Sequence, residues 1–499
     1  GQALPYSLSS IIAEWFSGAN HSWAMYPGLS QGCMETLKAH GTELQQKMFL
    51  EKLVSGEWTG TMCLTEAHCG SDLGMLKCKA EPQDDGSYSL SGTKIFISAG
   101  EHDLSDNIVH IVLARLPDAP EGVKGISLFV VPKFNVTDSG EKGERNAVAC
   151  GSIEHKMGIK ASATCVINFD GARGYLIGEP NRGLAGMFTF MNMARIGVGL
   201  EGLASSEAAF QGALRYAKDR LQFRSMSGKK NADGPADPII VHPDVRRMLL
   251  TQKAFAEGGR AMAFYCMQLV DTTLYSDNTQ SKELAEAKLA LVTPIVKAFL
   301  TETALETTSY GMQVYGGHGY ITEWGMEQLA RDTRICTMYE GTTGIQAIDL
   351  LARKVMGSNG KLLAVFVDEI RSFCESLRQE SRFSAWTNAL TSHLDEWQQL
   401  TQDIGKSALN NPDELGAASV DYLMYSGYVT LAYFWLRMAV TAQEKLDNGT
   451  TETDFYEAKL HTTRFYYDRL LTRTRSLVSA IQSGAENLMG MTEAMFIPE

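Results

Sequence analysis

The amino-acid sequence predicts an α+β fold that is mainly α-helical and has four successive regions. Apolar residues recur every three or four positions up to about residue 57, and fall into short alternating or β-branched runs between residues 58 and 172. Long helical periods return after NRG at residues 181–183. A chain of 499 residues exceeds what one hydrophobic core serves, so several domains are expected.

The first two regions differ in the spacing of their apolar residues. Segments such as IIAEWF and ETLKAHGTELQQKMFLEKLV have helical spacing, so residues 1–57 are predicted to form an N-terminal helical domain. The opening GQALPYSLSS has neither an initiator Met nor a basic signal-peptide start, and we expect this domain to be truncated. Residues 58–172 contain runs such as TMCLT, YSLSGTKIFIS and GISLFVVPKF between turn signals such as DDG, and predict a middle β-domain.

The last two regions are both predicted to be helical. Residues 173–357 should form a C-terminal four-helix bundle, with helices at about 184–221, 242–275, 281–314 and 325–357. Residues 358–499 predict an extra helical C-terminal domain. Its segment 421–440 has the length of a membrane span, but Asp421, Arg437 and several hydroxyl groups favour a buried helix, so we expect no transmembrane segment.

Charge and cysteine content limit the classes of function. A formal charge of −13 and a pI near 5.4 argue against a nucleic-acid partner, because phosphate backbones are bound through excess Lys and Arg. The nine cysteines include no CxxC pair, which favours free thiols in a reducing, cytoplasmic location.

The segment TMCLTEAHCGSD, residues 61–72, combines a strand with small residues. Ala67, Gly70 and Ser71 would let the backbone approach a polar ring edge or a phosphate, although a plain hairpin turn explains them equally well. His68 and Cys69 lack further ligands at regular spacing, so no metal site is predicted.

Three other segments have both an ordinary and a functional interpretation. GTKIFISAG, residues 92–100, is typical of a strand. DRLQFRSMSGKK, residues 219–230, places four cationic residues close together, which suits either a pyrophosphate or a solvated helix end. QVYGGHGYITEWG, residues 313–325, has neither the P-loop nor the GxGxxG pattern, and its close glycines indicate a turn through which backbone can touch a ligand.

The segment TMYEGTTGIQ, residues 337–346, carries a lone carboxylate, Glu340, among small, neutral and apolar residues. Desolvation there would bring a carboxylate into the range useful for a general base. The alternative is a surface glutamate at a helix irregularity, because Glu is usually exposed.

Taken together, these segments resemble the signature segments of the acyl-CoA dehydrogenase family of flavoproteins. The resemblance lies in the order and approximate spacing of TMCLTEAHCGSD, GTKIFISAG, RLQF and the stretch from QVYGGHGY to YEGTTGIQ, and it covers roughly residues 1–356. In detail it is greatest to the long-form bacterial branch, which includes 3-methylmercaptopropionyl-CoA dehydrogenases and broad-range fatty acyl-CoA dehydrogenases. The family's N-terminal domain is longer than the stretch before Trp58, which supports the expected truncation.

The resemblance implies an FAD-dependent α,β-desaturation of an acyl-CoA thioester. Glu340 matches the family's catalytic base, which removes the α-proton while the β-hydride passes to FAD. The backbone N–H of the same Glu and a ribityl hydroxyl of FAD hold the thioester oxygen, and Gly341 keeps the approach open. The electrons are expected to pass to an electron-transferring flavoprotein.

The resemblance also implies, position by position, which residues bind the cofactor and the substrate. The implied FAD contacts are Met62, Cys63, Leu64, Thr65, Ser71, Phe96, Ile97, Ser98, Arg220, Phe223, Gln313, Gly316, Gly317, Thr342 and Gln346. The implied substrate contacts are Ser71, Arg195, Tyr339 and Gly341. The acyl pocket is expected between the helix around residues 25–29 and the helix around residues 187–193.

A homodimer is expected, because Arg220, Phe223 and the 313–317 segment resemble residues that reach the FAD of a neighbouring subunit. In long-form members the C-terminal extension packs over the bundle where short members place a second dimer. Two departures affect the adenine and phosphate contacts: Gly344 stands where many members carry Gln, and RSMSGKKNADGPADP after Phe223 replaces a short Gly-containing form.

Other functions stay open at this point. Within the enzymes, the alternatives to a 3-methylmercaptopropionyl-CoA or short-chain to medium-chain dehydrogenase are a broad-range fatty acyl-CoA dehydrogenase and an acyl-CoA oxidase. From a different class, a non-catalytic flavin-binding or DNA-damage-response scaffold could share the fold. Glu340 within YEGT and the acidic charge both oppose the scaffold.

Overall fold

The structure, a computed structural model, describes residues 4–497 and divides into two compact units. Among these residues, the first unit comprises Leu4 and residues 19–197, and the second comprises residues 5–18 and 198–497.

Three helices precede the first strand: α1 (Tyr6–Ala19), α2 (His21–His40) and α3 (Glu43–Ser55). Local sequence sets the ends of α3, since Thr42 and Gln45 form a capping box at its start and Gly56, at φ 81°, ends it in the left-handed region. Helix α1 belongs to the second unit, where the N–H of Tyr6 donates to Asp271 at 2.6 Å. Packing therefore separates α1 from α2 and α3, which the sequence groups in one predicted domain.

The first unit is built on a β-sheet, as predicted. The strands are β1 (Trp58–Cys63), β2 (Lys79–Pro82), β3 (Tyr88–Ser98), β4 (Asn107–Arg115), β5 (Ile126–Pro132), β6 (Phe134–Val136), β7 (Lys142–Arg145), β8 (Val148–Ile153) and β9 (Thr164–Ile177). Pairing runs from β4 through β2, β3, β9 and β5 back to β4, so these five strands close a circuit around an apolar core. Strand β1 joins β4 in parallel, and β8 joins β9. Strand β9 extends the sheet beyond residue 172.

Long helices dominate the second unit, and three of the four predicted bundle helices are confirmed. They are α4 (Gly183–Asp219), whose residues 183–197 belong to the first unit, α5 (Pro243–Tyr275) and α6 (Thr279–Tyr315). The prediction of one helix over residues 325–357 is wrong. That segment consists of α7 (Met326–Thr333), a 3-10 turn (Arg334–Thr337), α8 (Thr343–Ile348) and a π-helical stretch (Asp349–Met356). Positive φ angles at Glu340 (56°) and Gly341 (90°) break it, because a right-handed helix cannot contain them.

The C-terminal extension adds α9 (Lys361–Ser376), α10 (Ser384–Ala408), α11 (Asp413–Asp447), α12 (Thr453–Phe465), α13 (Thr474–Gln482) and α14 (Glu486–Met489). The predicted buried helix is confirmed as α11, which packs against α5 and α6. Its Trp435 indole donates to the carbonyl of Ala254 at 3.1 Å. A Cβ on Gly427 would lie 2.2 Å from the ring of Phe299, so only glycine permits this approach.

None of the helices described between residues 4 and 497 has the length and apolarity needed to cross a membrane.

Candidate active site

Glu340 lies in a left-handed turn between two helical segments. The turn follows the 3-10 turn that ends at Thr337, and Thr342 caps α8 by accepting the N–H of Ile345 at 3.3 Å. A non-glycine residue at φ 56° is strained, and such strain persists only where surrounding contacts hold it. Glu340 is half-buried.

Two buried side chains hold the backbone of this turn. The Nζ of Lys297, on α6, donates to the carbonyl of Gly341 at 2.7 Å, and the Nε2 of Gln346 donates to the carbonyl of Glu340 at 2.9 Å. Both side chains are fully buried. A Cβ on Gly341 would lie 2.6 Å from the Gln346 amide, so glycine keeps this contact possible. The amide nitrogen of Gln346 thus donates to the turn, and the predicted contact of Gln346 with FAD stays a prediction.

A network of acidic groups surrounds Lys297. Burial lowers the pKa of Lys297 to about 8, while Cys336 and the carboxylates of Glu340, Glu201 and Glu302 counteract the shift through their charge. The hydroxyl of Tyr339 donates to Glu201, and burial together with the nearby Cys336 and Glu201 raises the pKa of Tyr339 well above its usual range. Tyr339 is therefore a neutral donor beside Glu340.

A second group of predicted residues meets at the end of α4. Tyr216 joins them, because its hydroxyl lies 2.9 Å from Nδ1 of His318 and its ring stacks on Tyr315 at 4.3 Å between centroids. Arg220 follows Tyr216 by one helical turn, and its N–H donates to the carbonyl of Tyr216 at 2.8 Å. Beyond the adjacent residues and the backbone of the same turn, no atom of the described residues lies within 4 Å of a Cβ built on Gly316 or Gly317, so this face is open.

The loop after Phe223 is ordered by one buried carboxylate. Asp237 accepts hydrogen bonds from the N–H groups of Ser225, Lys230 and Asn231 and from Arg224. Burial alone would raise the pKa of Asp237, but these donors hold it well below its usual range. Phe223 projects from this loop at φ 58° with 75% of its surface exposed.

In the first unit, the two predicted flavin-binding segments lie side by side. The N–H of Ile95 donates to the carbonyl of Thr65 at 2.9 Å, and the Nζ of Lys94 donates to the carbonyl of Leu64 at 2.9 Å. Lys94 also pairs with Glu66 at 2.9 Å. Phe96 bulges out of β3 at φ 58° with 61% of its surface exposed.

The other predicted residues of this unit differ in accessibility. Met62, Thr65 and Ser98 are half-buried and Ser71 is exposed, whereas the side chains of Cys63 and Ile97 belong to the core. Any cofactor contact by Cys63 or Ile97 would therefore come from the backbone.

Four further polar residues from the sequence analysis differ in their surroundings. The ring of His68 lies 3.1 Å from the Met75 carbonyl, and the thiol of Cys69 donates to the Asp72 carbonyl at 3.0 Å. Arg195 is buried on α4, and Gln313 is exposed at the end of α6.

Family models match most of the chain. Residues 61–172 match the middle domain of acyl-CoA dehydrogenases, residues 181–356 match their C-terminal domain, and residues 366–492 match an acetyl-CoA dehydrogenase C-terminal-like region. The 3-methylmercaptopropionyl-CoA dehydrogenase of Ruegeria pomeroyi is 41% identical over 98% of this chain and 82% of that protein. The chain belongs to the acyl-CoA dehydrogenase family. Its predicted family, its class of enzyme and FAD as the cofactor of that family are thereby confirmed.

Further relatives lie within the same family. The broad-specificity linear acyl-CoA dehydrogenase FadE5 of Mycobacterium tuberculosis is 36% identical over 99% of this chain and 83% of that protein. The acyl-CoA dehydrogenase of Bacillus anthracis complexed with FAD superposes with a TM-score of 0.79 at 21% identity, over 96% of this chain and 78% of the other. That structure confirms the predicted acyl-CoA dehydrogenase fold.

The sequence analysis missed two buried lysines of this acyl-CoA dehydrogenase: Lys297, which holds the Glu340–Gly341 turn, and Lys94, which holds the predicted flavin-binding segment at Leu64. Lys297 interrupts the apolar helical run LALVTPIVKAFL, and Lys94 lies within the apolar strand GTKIFIS. A lone lysine on an otherwise apolar element is the signal that could have identified each, because a buried cation requires a partner.

Proposed function

We propose that this acyl-CoA dehydrogenase desaturates the Cα–Cβ bond of a short acyl-CoA, best matched by 3-methylmercaptopropionyl-CoA, with Glu340 as the base. The observation that carries the proposal is the strained turn at Glu340, held from two sides by buried side chains. Backbone strain that is fixed by dedicated contacts is typical of a catalytic position.

In the proposed reaction the acyl-CoA loses one proton and one hydride. The α-proton moves to the carboxylate of Glu340, the hydride leaves the β-carbon with its electron pair, and the bond between them becomes a trans double bond. FAD, when bound, supplies the acceptor for the hydride. The chain itself supplies the base and the N–H of Glu340 for the thioester oxygen.

The residues present fit FAD. Phe96 and Phe223 are exposed and have a left-handed φ that a bulky residue rarely adopts, so their rings are held where they can cover an apolar ring of the cofactor. Gly316 and Gly317 leave the backbone beside them accessible to a ligand. We propose that these residues, together with Met62–Thr65, Ser71, Ser98, Arg220, Gln313 and Thr342, contact the cofactor, and that Ser71, Arg195, Tyr339 and Gly341 contact the substrate.

Similarity of sequence and one contact support a short acyl chain. The relatives include the 3-methylmercaptopropionyl-CoA dehydrogenase and two butyryl-CoA dehydrogenases of Syntrophomonas wolfei at 32% and 34% identity. Within the first unit, the two helices proposed to flank the acyl chain already touch, since a Cβ on Gly32 would lie 2.4 Å from Phe190. The broad specificity for linear acyl-CoA that the mycobacterial relative's name states supports a broad-range fatty acyl-CoA dehydrogenase as the second candidate.

We further propose a cytoplasmic homodimer that passes electrons to an electron-transferring flavoprotein. The ring of Phe223, with 75% of its surface exposed at a position that resembles an inter-subunit contact of the family, supports a contact with a second copy of this chain. All nine cysteines are free thiols, which supports a reducing compartment.

Anaerobic bleaching of the bound flavin tests the function directly. Wild-type protein is mixed with 3-methylmercaptopropionyl-, butyryl-, octanoyl- and palmitoyl-CoA, and bleaching should be fastest with the first two. A preference for octanoyl-CoA or palmitoyl-CoA would favour the fatty acyl-CoA dehydrogenase, and rapid reoxidation of the product-bound flavin by oxygen would favour an oxidase. Absence of bleaching by every ester would indicate a non-catalytic scaffold.

Replacing Glu340 by Gln tests its role as the base. Glu340→Gln should retain bound FAD and its visible spectrum but lower the rate of bleaching by about 10²–10⁴-fold, the usual contribution of a general base. Bleaching at the wild-type rate would remove Glu340 from this role.

A further inference from the structure

Lys297 is a fully buried cation on a helix that is otherwise apolar around it. Its neighbours Val296, Ala298 and Phe299 are also buried, so the side chain reaches its polar partner through the interior of the second unit. A methionine would fill similar volume without desolvating a charge. Packing alone therefore does not explain a lysine here.

The ammonium group and the Gln346 amide hold consecutive peptide groups. Lys297 donates to the carbonyl of Gly341, and Gln346 donates to the carbonyl of Glu340. Both of these residues have positive φ, 90° at Gly341 and 56° at Glu340. Fixing both carbonyls fixes the peptide planes that follow Glu340 and Gly341, and thereby restrains the direction in which the Glu340 side chain points.

Charge also favours an ammonium in this position. Glu340 on the turn, Glu201 on α4, Glu302 on α6 and the thiol of Cys336 all face Lys297 and favour its protonated form. Of these groups, Glu340 is the one proposed to receive a proton during the reaction.

We propose that Lys297 and Gln346 are positioning residues that clamp the Glu340–Gly341 turn, so that the base meets the α-carbon in a reactive geometry. This inference rests on the proposed function of Glu340. It assigns Lys297 no proton transfer and no contact with substrate.

Single-turnover flavin reduction tests the clamp in full-length, FAD-loaded protein. Lys297→Met and Gln346→Leu should each slow reduction by saturating acyl-CoA on the order of 10- to 100-fold, the loss expected when a reacting group is misplaced. Binding of the enoyl-CoA product, measured by calorimetry, should change less than about 3-fold. The kinetic isotope effect of α-deuterated substrate should increase, whereas that of β-deuterated substrate should not.

Two further variants separate positioning from packing. Lys297→Arg keeps charge and donors, so it should recover part of the rate that Lys297→Met loses, although it fits the buried volume less well. Lys288→Met is the matched control, because Lys288 lies on the same helix but pairs with Glu369. It should leave the reduction rate unchanged even if it lowers thermal stability.

The outcomes distinguish a failure of the proposed clamp from a failure of the proposed dehydrogenase function. If wild-type protein is bleached and both Lys297→Met and Gln346→Leu keep its rate and isotope effects, the clamp is overturned while the function stands. If no thioester bleaches wild-type protein, the proposed function fails and the clamp fails with it. If Lys297→Met does not retain FAD, the reduction rates of Gln346→Leu and Lys297→Arg decide whether the clamp exists. Each of these variants alters one contact with less change in volume or charge.

Discussion

The β-sheet unit and the helical unit each use a fully buried lysine to hold a backbone carbonyl, but they neutralise its charge differently. Lys94 donates to the carbonyl of Leu64 and forms an ion pair with Glu66 at 2.9 Å. Lys297 donates to the carbonyl of Gly341, and the surrounding carboxylates act on it through charge rather than through a hydrogen bond. The charge of Lys94 is neutralised by the carboxylate that it pairs with. The charge of Lys297 instead interacts electrostatically with Glu340.

The Glu66 carboxylate shows how complete the first arrangement is. Besides Lys94, it accepts the N–H groups of Lys77 at 2.8 Å and Cys78 at 3.0 Å. Although burial raises it, the pKa of Glu66 is lowered by Lys94 and by these two N–H donors. Glu66 therefore contributes stability at neutral pH that is lost as the pH falls below the ordinary range of a glutamate.

The largest effect should come from breaking the pair between Glu66 and Lys94. Glu66→Gln leaves Lys94 buried without its counter-ion and should lower the free energy of unfolding by about 3–5 kcal/mol, measured by denaturant titration at pH 7. The double variant Glu66→Gln/Lys94→Met should recover most of this loss, because neither charge then remains. A loss below about 1 kcal/mol in the single variant would mean that the pair is not the structural element described here.

A smaller effect should appear in the pH dependence of the helical unit. The folded pKa of Lys297 is about 8 and its ordinary value is 10.5, so the unfolded chain binds more protons between these values. The free energy of unfolding should therefore rise through this pH range, by about 3 kcal/mol.

Comparing wild type with Lys297→Met by denaturant titration from pH 7 to pH 10.5 isolates this contribution. The two curves should be parallel below pH 8 and diverge above it. Parallel curves over the whole range would mean that Lys297 keeps an ordinary pKa in the fold.

The smallest effect concerns backbone strain, which each unit has at an exposed phenylalanine with a left-handed φ, Phe96 in the first and Phe223 in the second. Phe96→Gly removes the cost of a left-handed φ and should raise the free energy of unfolding of the FAD-free protein by up to about 1 kcal/mol. FAD affinity, measured by fluorescence titration, should fall at the same time. Phe455→Gly is a suitable control, because Phe455 is also exposed but lies in α12, where glycine should destabilise. Equal destabilisation by both changes would argue against stored strain at Phe96.

Periodicity was sufficient to predict the elements that are regular over many residues. The alternation of β3 and the long periods of α4, α5 and α6 are local properties of sequence, so they predicted these elements correctly. The same reasoning failed over residues 325–357, because the break at Glu340 and Gly341 depends on φ angles that distant side chains impose.

The candidate site was predictable only in part for the same reason. Glu340 could be singled out as an isolated carboxylate in its own segment. Lys297 lies 44 positions before Gly341 in the chain, and no local pattern connects the two residues. Likewise, nothing local indicated that Gln346 would turn back onto the carbonyl of Glu340.

The close approach of Gly427 to Phe299 has a consequence during synthesis. The α6 surface that receives α11 is translated well before α11 itself, with α9 and α10 between them. At roughly 5–20 residues per second, α6 waits on the order of ten seconds for its partner. Throughout that interval the α6 surface around Phe299 lacks the helix that covers it in the folded protein, so we expect this aromatic face to be an aggregation-prone surface of the nascent chain.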